Sequence, residues 1–409
     1  MPRFSAFSAL RYTSRAGPLE AVLAPPYDVI DSAHAADLRS RSPFNAVRVV
    51  LPEGEGPARY GAAAADLIAW QAAGVLARDT EPGVYVYRQE YEYAGSPLAR
   101  LAVFGALDLV PLDTGDVLPH ERTHAGPKQD RLALTLATRT QLSPVFMAGR
   151  DPDGLLLDAL RAEVKAREPD VSGRTPDGIR HALWHVVGSA ASDLCDVVSR
   201  GPLLIADGHH RYETALEAAR QLDTGEARRV LVCVVSELDP GLVIQPTHRT
   251  LTTWPPGVDT GLLERLGAWF DIQLMGPCSA TDAAARVADQ ASSLILVRGN
   301  QAHMLTPRLE TERHGTGPGD GIAAVQFDKR ILGALLSTDA DSAAHDGLLE
   351  YHRDPGQAVL RAGQSGAAFL LPPVGLAAVW EATAAGLRLP PKSTYFEPKM
   401  PSGLLYRPL

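Results

Sequence analysis

The sharpest chemical signal in the sequence is a short segment in which a strand pattern runs into a turn and then a helix pattern. The apolar run Leu203–Ala206 is followed by Asp207–Arg211, whose letters are Asp-Gly-His-His-Arg, and helical spacing continues from Tyr212. Glycine allows the tight turn that such a junction needs. The first backbone N–H groups of a helix point out of its N-terminus and attract anions. The segment therefore predicts an anion site.

The side chains at this turn favour phosphate as the anion. Arg211 offers a fork of donors, and His209 and His210 can donate or, when protonated, add positive charge. Asp207 could hold a metal ion or orient a hydroxyl group. The alternative is that Asp207 only caps the helix and both histidines lie on the surface. The i, i+4 spacing of paired zinc ligands is absent, which argues against zinc.

A second charged segment, residues 118–131, leads into another helix pattern and combines acids, histidines and basic residues. Arg122, Lys128 and Arg131 could neutralise phosphoryl oxygens, which is the main requirement of phosphoryl transfer. Glu121 could accept a proton from an attacking hydroxyl group. The alternative is a solvated loop with internal ion pairs. Taken together, the two segments favour a phosphate-handling site.

Shorter segments repeat part of this composition and could complete a site. Each also has a purely structural alternative. The segment could be a surface turn, the cap of a strand or a C-terminal tail that packs against the rest of the protein. These segments are Ala24–Ile30 with Tyr27 and Asp28, Ser42–Arg48 with Asn45, Pro246–Arg249 with His248 and Arg249, and the polar, aromatic strap Lys392–Lys399.

The remaining sequence alternates helix and strand patterns, which predicts an α+β (mixed α/β) fold. We expect a catalytic core over residues 1–258, a second α/β unit over 259–389 and a C-terminal strap over 390–409 that returns to the core. The patterns predict helices over Ala58–Ala77, Arg131–Gln141, Leu155–Ala166, Tyr212–Leu222, Leu262–Phe270 and Ala280–Ser292, and strands over Val84–Tyr93, Leu101–Val110, Pro144–Ala148, Arg180–Gly188, Gly201–Ala206, Val230–Ser236 and Leu294–Val297.

Length, charge and cysteine content restrict the class of protein. The 409 residues allow two or three domains, and 39 basic against 48 acidic residues give a net charge of −9. An overall negative field disfavours a nucleic-acid partner. The three cysteines are far apart, which fits reduced thiols in the cytoplasm, and the sequence contains no apolar run of membrane-spanning length. We therefore expect a cytoplasmic protein with no membrane partner; its oligomeric state is not predicted.

Common nucleotide-binding and hydrolase motifs are missing from the sequence. It contains neither G-x-x-x-x-G-K-[ST] nor a kinase-type glycine-rich loop, and it has no G-x-S-x-G and no Rossmann fingerprint. Phosphate binding by the familiar nucleotide folds is therefore not supported. The turn Asp207–Arg211 would have to bind phosphate in a different way.

Several of these segments together resemble a known family, catalogued as domain of unknown function 1015. The turn Asp207–Arg211 is also similar to the phosphate turn of the ParB and sulfiredoxin superfamily, in which archaeal free-serine kinases carry a similar Asp-Gly-His motif. The segments that carry the family resemblance are Ala24–Ile30, Asn45–Pro52, Val117–Arg131, Leu142–Phe146, Ile205–Ala215, Pro246–Arg249 and Lys392–Leu404.

The resemblance implies a ParB/sulfiredoxin-like phosphate-binding core and a phosphotransferase that converts free L-serine to O-phosphoserine. It implies pyrophosphate, ADP or ATP as phosphoryl donor, with pyrophosphate favoured, and Mg²⁺ as cofactor with unassigned ligands. The expected catalytic residues are Glu121 as base, Asp207 and His209. The expected phosphate-binding residues are His120, Arg122, Lys128, Arg131, His210, Arg211, His248 and Arg249, and the expected substrate-binding residues are Tyr27, Asp28, Asn45 and Lys399.

Two other functions use the same residues. A ParB-like protein that binds nucleotide or DNA would share the turn, but the charge of −9 and the lack of a basic recognition helix count against DNA. A phosphohydrolase or nuclease would use the same loops on water. Fold-level similarity alone does not separate these functions.

Overall fold

A computed structural model describes residues 1–121, 125–254, 258, 261–308 and 319–409. By its internal contacts the chain divides into two units. Unit 1 comprises residues 1–119, 125–243 and Pro398–Leu409, and unit 2 comprises His120, Glu121 and the described part of Ile244–Glu397. The predicted domain boundaries at 258 and 389 stay a prediction.

Strands and helices alternate along both units. The strands are β1 (Phe4–Ser5), β2 (Leu10–Tyr12), β3 (Leu76–Arg78), β4 (Val84–Tyr93), β5 (Ser96–Asp108), β6 (Val117–Pro119), β7 (Thr140–Gln141), β8 (Val145–Gly149), β9 (Val171–Arg174), β10 (Arg180–Val186), β11 (Leu203–Asp207), β12 (Arg229–Ser236), β13 (Val243–Gln245), β14 (His248–Leu251), β15 (Phe270–Gly276), β16 (Leu294–Arg298), β17 (Gln301–Pro307), β18 (Leu349–His352), β19 (Ala367–Leu370), β20 (Tyr395–Glu397) and β21 (Arg407–Pro408).

The helices complete both units. They are α1 (Leu19–Val22), α2 (Ser32–Arg41), α3 (Val47–Val50), α4 (Ala58–Ala72), α5 (Ala125–Thr138), α6 (Leu155–Ala166), α7 (Gly188–Val198), α8 (His209–Leu222), α9 (Leu262–Leu266), α10 (Ala280–Val287), α11 (Ala323–Gln326), α12 (Ala340–His345), α13 (Pro355–Ala362) and α14 (Leu376–Ala384), with 3₁₀ turns at Ser14–Ala16, Tyr27–Val29 and Glu226–Arg228 and a π-helical stretch at Phe327–Leu335.

Unit 1 is built on a mixed sheet. Its strand order is β6-β11-β8-β12-β5-β4-β10-β9, and β1 adds to β5. Strand β11 pairs in parallel with β6, so that Pro119 lies opposite Ile205. Strand β8 is buried over its whole length, which explains its continuous apolar sequence. The two predicted chemical segments therefore start at the same end of the sheet.

The core of unit 1 packs between this sheet and its helices. Trp184 on β10 and Val232 on β12 are buried there with Leu160 of α6 and Leu194 of α7. Helix α7 was not predicted, although Leu194, Cys195 and Val198 follow helical spacing. Burial of apolar surface in such a core is the main favourable contribution to the free energy of folding.

Several predicted helices have the wrong limits. The helix predicted over Ala58–Ala77 ends at Ala72 because Gly74 turns the chain with a φ of +67°. Helix α5 begins at Ala125 and ends at Thr138, and Thr140–Gln141 form β7 instead. The helix predicted over Ala280–Ser292 ends at Val287. By contrast, the predicted limits of strand Val84–Tyr93 and helix Leu155–Ala166 are confirmed.

Unit 2 is built on an antiparallel sheet of strand order β15-β17-β16-β19-β14-β18. Small apolar residues of α10 and α13, such as Ala283 and Ala358, pack against Ile295 and Ala368 of the sheet. The helix predicted over Leu262–Phe270 stops at Leu266, and Phe270 begins β15. The two sheets with their helices confirm the predicted α+β fold class.

Candidate functional site

The junction of β11 and α8 has the strand-turn-helix geometry that the sequence predicts. Strand β11 ends at Asp207, and α8 begins at His209. Gly208 joins them in the left-handed region with a φ of +94°. A Cβ atom at this position would lie 2.8 Å from Nε of Arg211. Glycine is therefore needed both for the backbone conformation and for the position of the arginine.

Asp207 lies between two cations within unit 1. Lys399 Nζ donates to Oδ1 of Asp207 at 2.6 Å. Arg211 donates to Oδ2 of the same carboxylate and to the carbonyl oxygen of Pro144. Lys399 comes from the C-terminal segment, 192 residues along the chain from Asp207. The structure thus brings together a predicted catalytic residue, a predicted phosphate-binding residue and a predicted substrate-binding residue.

This arrangement fixes the charge of the cluster. Burial by itself raises the pKa of Asp207, but the charges of Lys399 and Arg211 outweigh it and hold that pKa well below its ordinary value. One carboxylate and two cations leave a formal charge of about +1 at the N-terminus of a helix. The buried His209, in the first turn of α8, also lowers the pKa of Asp207. His210 follows on the same turn, half-buried.

Lys128 lies beside the first turns of α8 in an ion pair. Its Nζ contacts the carboxylate of Glu213, and both side chains are half-buried. The pairing joins α5 to α8. Lys128 is therefore neutralised by a residue that the sequence did not single out.

Arg131 is buried on the same helix α5 and stacks on an aromatic ring. Its guanidinium carbon lies 4.1 Å from the ring centroid of Tyr27. Arg131 pairs with Asp130, and its Nη1 donates to the carbonyl oxygen of Val50 at 2.5 Å. The structure therefore places Tyr27, which was predicted to bind substrate, against Arg131, which was predicted to bind phosphate.

A small cavity lies next to this stack within unit 1. Its volume is about 50 Å³. Its polar lining includes Tyr27, Arg131, Arg211 and Thr214, and Val230 belongs to its apolar lining. Arg211 therefore belongs both to the cluster around Asp207 and to the cavity wall.

The other two residues predicted to bind substrate lie in different surroundings. Asp28 is exposed. Asn45 is fully buried, and its amide group donates to the carbonyl oxygens of Ala21 and Leu23 and accepts from the backbone N–H of Val47. Backbone contacts alone account for an asparagine at position 45.

His120 and Glu121 belong to unit 2. The His120 ring is buried, and its Nε2 lies 2.5 Å from Oγ1 of Thr394. Glu121 Oε1 lies 3.7 Å from the same ring nitrogen. The backbone N–H of Leu389 donates to the carbonyl oxygen of His120 at 2.7 Å. Arg122 lies outside the described residues.

His248 and Arg249 are buried on β14 of unit 2. Burial lowers the pKa of Arg249 to about 10, and its guanidinium donates to the carbonyl oxygens of Thr247, Pro391 and Lys392. Burial also lowers the pKa of His248 to about 4, and Nδ1 of its ring accepts from the backbone N–H of Leu371 at 3.1 Å. His248 is therefore neutral near pH 7 and adds no charge for binding an anion.

The expected Mg²⁺ finds no protein-built site in the described part of the chain. Nowhere in residues 1–121, 125–254, 261–308 and 319–409 do three His, Cys, Asp or Glu side chains form a group that could hold a metal ion. Both carboxylate oxygens of Asp207 contact cations already. The described residues therefore form no all-protein site for Mg²⁺, and we derive no step through this ion.

Some residues of this region were missed by sequence reasoning. Glu213 and Thr214 lie on a helix that was predicted, and Thr214 is three positions from Arg211, so helical spacing could have placed it on the same face. No local pattern could have paired Lys399 with Asp207, because periodicity does not report contacts between distant segments.

Comparisons with known proteins gave distant structural likenesses. A free serine kinase mutant in complex with AMP shares 14% identity over 72% of this chain and 87% of its own, with a TM-score of 0.38. A conserved hypothetical protein from Pyrococcus furiosus shares 15% over 74% and 93%, with a TM-score of 0.36. SbnI from Staphylococcus aureus, truncated at its C-terminus, shares 11% over 73% and 85%, with a TM-score of 0.37.

Among the helices of the described residues, none has both the length and the apolar character needed to cross a membrane. No curated protein matches the chain. A family model does match, over residues 4–325, and these residues include both predicted chemical segments. The chain therefore belongs to the family described as Protein of unknown function (DUF1015).

Proposed function

We propose that the protein is a small-molecule phosphotransferase that holds its phosphoryl donor at the N-terminus of α8. The observation that carries this proposal is the convergence of Arg211 and Lys399 on Asp207 at that terminus. The acceptor we propose is free L-serine, as the sequence resemblance implies, and the proposed donors are pyrophosphate, ADP and ATP.

The charge and geometry of the cluster support phosphate binding. Arg211 and Lys399 together offer more N–H donors than Asp207 alone accepts. The first turn of α8, a helix of 14 residues, adds its backbone dipole. A phosphate oxygen can therefore share both cations with Asp207. Such sharing suits phosphoryl transfer, in which a protein mainly positions the reactants and neutralises the charge of the phosphoryl group.

In the proposed reaction, the hydroxyl oxygen of the acceptor attacks the terminal phosphorus of the donor. A new O–P bond forms, and the bond between phosphorus and the bridging oxygen breaks. Its electron pair leaves with the departing phosphate, AMP or ADP. The hydroxyl proton passes to a general base. The products are the phosphomonoester and the shortened donor.

Asp207 suits a positioning role better than that of the base. Its pKa is held well below the ordinary value by Lys399 and Arg211, so it accepts protons poorly near pH 7. We propose that it holds the two cations in place for the phosphate. Glu121 is the base that we propose from the sequence, and a Glu121→Gln variant tests that role by activity.

A ³¹P NMR assay tests the proposed function. The purified chain is incubated with L-serine, Mg²⁺ and pyrophosphate, ADP or ATP in parallel tubes, beside Glu121→Gln and a matched control, Glu163→Gln, in α6. We expect a phosphomonoester signal that requires both serine and one donor. We expect this signal to fall at least about 100-fold in Glu121→Gln, as for loss of a general base, and to persist in the control.

Other products would point to other functions. Release of inorganic phosphate without a phosphomonoester would replace the phosphotransferase with a phosphohydrolase that uses water as the acceptor. If no donor is consumed with serine or with other small hydroxylated acceptors, the proposed function is wrong.

A further inference from the structure

Lys399 reaches Asp207 from a part of the chain that lies in no strand or helix. Residues 398–400 follow β20 and precede β21, outside both strands. A lysine side chain is long and flexible, so the position of its Nζ atom depends strongly on the backbone that carries it. Contacts other than a strand ladder must therefore hold this backbone if Lys399 is to lie at the start of α8.

Two polar side chains from the sheet of unit 1 hold that backbone. Nη2 of Arg100, on β5, donates to the carbonyl oxygen of Pro398. Nε2 of Gln89, on β4, donates to the carbonyl oxygen of Lys399 at 3.2 Å. Two consecutive carbonyl oxygens are thus held by side chains, and Nζ of the same lysine donates to Asp207 at 2.6 Å.

Gln89 and Arg100 also contact each other. They lie directly opposite each other in the antiparallel pair β4–β5, and Nη2 of Arg100 donates to Oε1 of Gln89. The amide group of Gln89 therefore accepts from the arginine through its oxygen and donates to Lys399 through its nitrogen. Each of the two residues has an exposure of only 1%, so bulk water does not compete for these contacts.

Stability alone does not account for an arginine at position 100. Burial lowers the pKa of Arg100 below its ordinary value, which shows that burying this charge costs free energy. Apolar residues of similar volume are often as stabilising as a buried charged group with its partners. The arginine is also close to the candidate site, because its guanidinium carbon lies 4.8 Å from the ring centroid of Phe146, which pairs with Asp207 across β8 and β11.

We propose that Arg100 and Gln89 are positioning residues of the phosphate site. They fix the backbone of Pro398 and Lys399, so that the Lys399 ammonium group is held at Asp207 and faces the donor phosphate. Both are buried and act through Lys399. A preorganised contact of this kind reduces the entropy that is lost on binding. The effect on the donor rests on the proposed function, whereas the placement of Lys399 at Asp207 does not.

Double-mutant cycles test whether the two residues act through Lys399, because independent effects add and coupled effects do not. Gln89→Met, Arg100→Met and the control Arg330→Met are each made alone and combined with Lys399→Met. Arg330 is a matched control, since this arginine of unit 2 also lies near a phenylalanine ring, 5.4 Å from its centroid, and also donates to a backbone carbonyl oxygen.

The first readout is the affinity for pyrophosphate, measured by isothermal titration of the full chain. Gln89→Met and Arg100→Met should each bind about fivefold more weakly than the parent, as for the loss of one hydrogen bond. When Lys399→Met is already present, the same changes should alter the affinity less than about twofold. Arg330→Met should bind as the parent does. A role confined to folding would not give this dependence on Lys399.

The second readout is the free energy of unfolding in urea at pH 7, which requires no ligand. Lys399→Met should destabilise Gln89→Met and Arg100→Met less than it destabilises the parent, because their lysine is no longer held at Asp207. Its effect should be unchanged in Arg330→Met. If Arg100→Met does not fold, Gln89→Met decides the test, because it removes the contact to Lys399 without removing a charge.

The two readouts separate the positioning role from the proposed function. Additive effects on unfolding would overturn the placement of Lys399 by Arg100 and Gln89. Pyrophosphate binding that is weakened equally with and without Lys399→Met would keep the phosphate site and overturn the role of the two residues toward the donor. Coupled effects on unfolding in a parent that does not bind pyrophosphate would keep the placement of Lys399 and reject the phosphate site.

Discussion

At the scale of single residues, the candidate site depends on the groups that stabilise the negative charge of a buried carboxylate. Asp207 is mostly buried, and such a group is stable as an anion only when cations and hydrogen bonds replace water. Lys399 and Arg211 provide both. The same pairing keeps two cations in fixed positions at the start of α8, where an anion is attracted.

Lys399→Met should destabilise unit 1 by about 2 kcal/mol at pH 7, the usual size for a hydrogen bond to a charged group. The folded pKa of Asp207 is lowered, so its stabilisation is present above the unfolded pKa of about 3.9 and is lost as pH falls further. Urea unfolding at pH 7 and pH 3 should show the difference between parent and variant shrinking in acid.

Lys165→Met is the control for this change because Lys165 is exposed on α6. It should leave the free energy of unfolding unchanged at both pH values. A Lys399→Met protein as stable as the parent at pH 7 would show that Lys399 does not stabilise the buried carboxylate.

His248 should make the protein sensitive to mild acid. Its folded pKa of about 4 lies below the ordinary 6.5, so the unfolded chain binds the proton more readily. Stability should therefore fall as pH drops from about 6.5 to about 4, by up to about 3 kcal/mol from this residue. His248→Asn should show a shallower fall in urea unfolding over this range, whereas His345→Asn, at an exposed position, should follow the parent. An unchanged slope in His248→Asn would contradict the buried, neutral state of the ring.

At the scale of elements, the strand-turn-helix unit was predictable because all its signals are local. Apolar residues define β11, Asp207-Gly208 defines the turn, and helical spacing defines α8. Helix α7 shows the limit of such reasoning. Its Leu194, Cys195 and Val198 follow helical spacing, but its sequence begins with a glycine after a strand pattern, and the helix was not predicted.

Gly208→Ala should disrupt this unit in two ways. The backbone strain of a positive φ costs about 1–2 kcal/mol, and the new Cβ atom would displace the Arg211 guanidinium. Gly178→Ala is a matched control, since Gly178 has a φ of +89° with no atom within 4 Å of the added Cβ. Both variants should lose stability in thermal unfolding, and only Gly208→Ala should also lose affinity for pyrophosphate. Equal affinity in the two variants would contradict the role given to Arg211.

At the scale of the whole molecule, contacts between distant segments decide which residues form the site. The segment Pro398–Leu409 belongs to unit 1, although unit 2 precedes it in sequence. Its buried Tyr406 and Arg407 hold it there through bonds to Tyr12 and Glu226. The fold class and the residue types of the site could be predicted from local patterns. The pairing of Lys399 with Asp207 could not, because it depends on where the chain returns.

The most direct test of the central claim is the affinity of the full chain for pyrophosphate, measured by isothermal titration in the parent, Arg211→Met and Arg220→Met. Arg220 lies exposed on the last turns of the same helix α8 and is the matched control. We predict that Arg211→Met binds pyrophosphate at least about tenfold more weakly, as for loss of a charge-assisted contact, and that Arg220→Met binds as the parent does. Equal affinity in all three proteins, with the variants folded, would contradict a phosphate site at the N-terminus of α8.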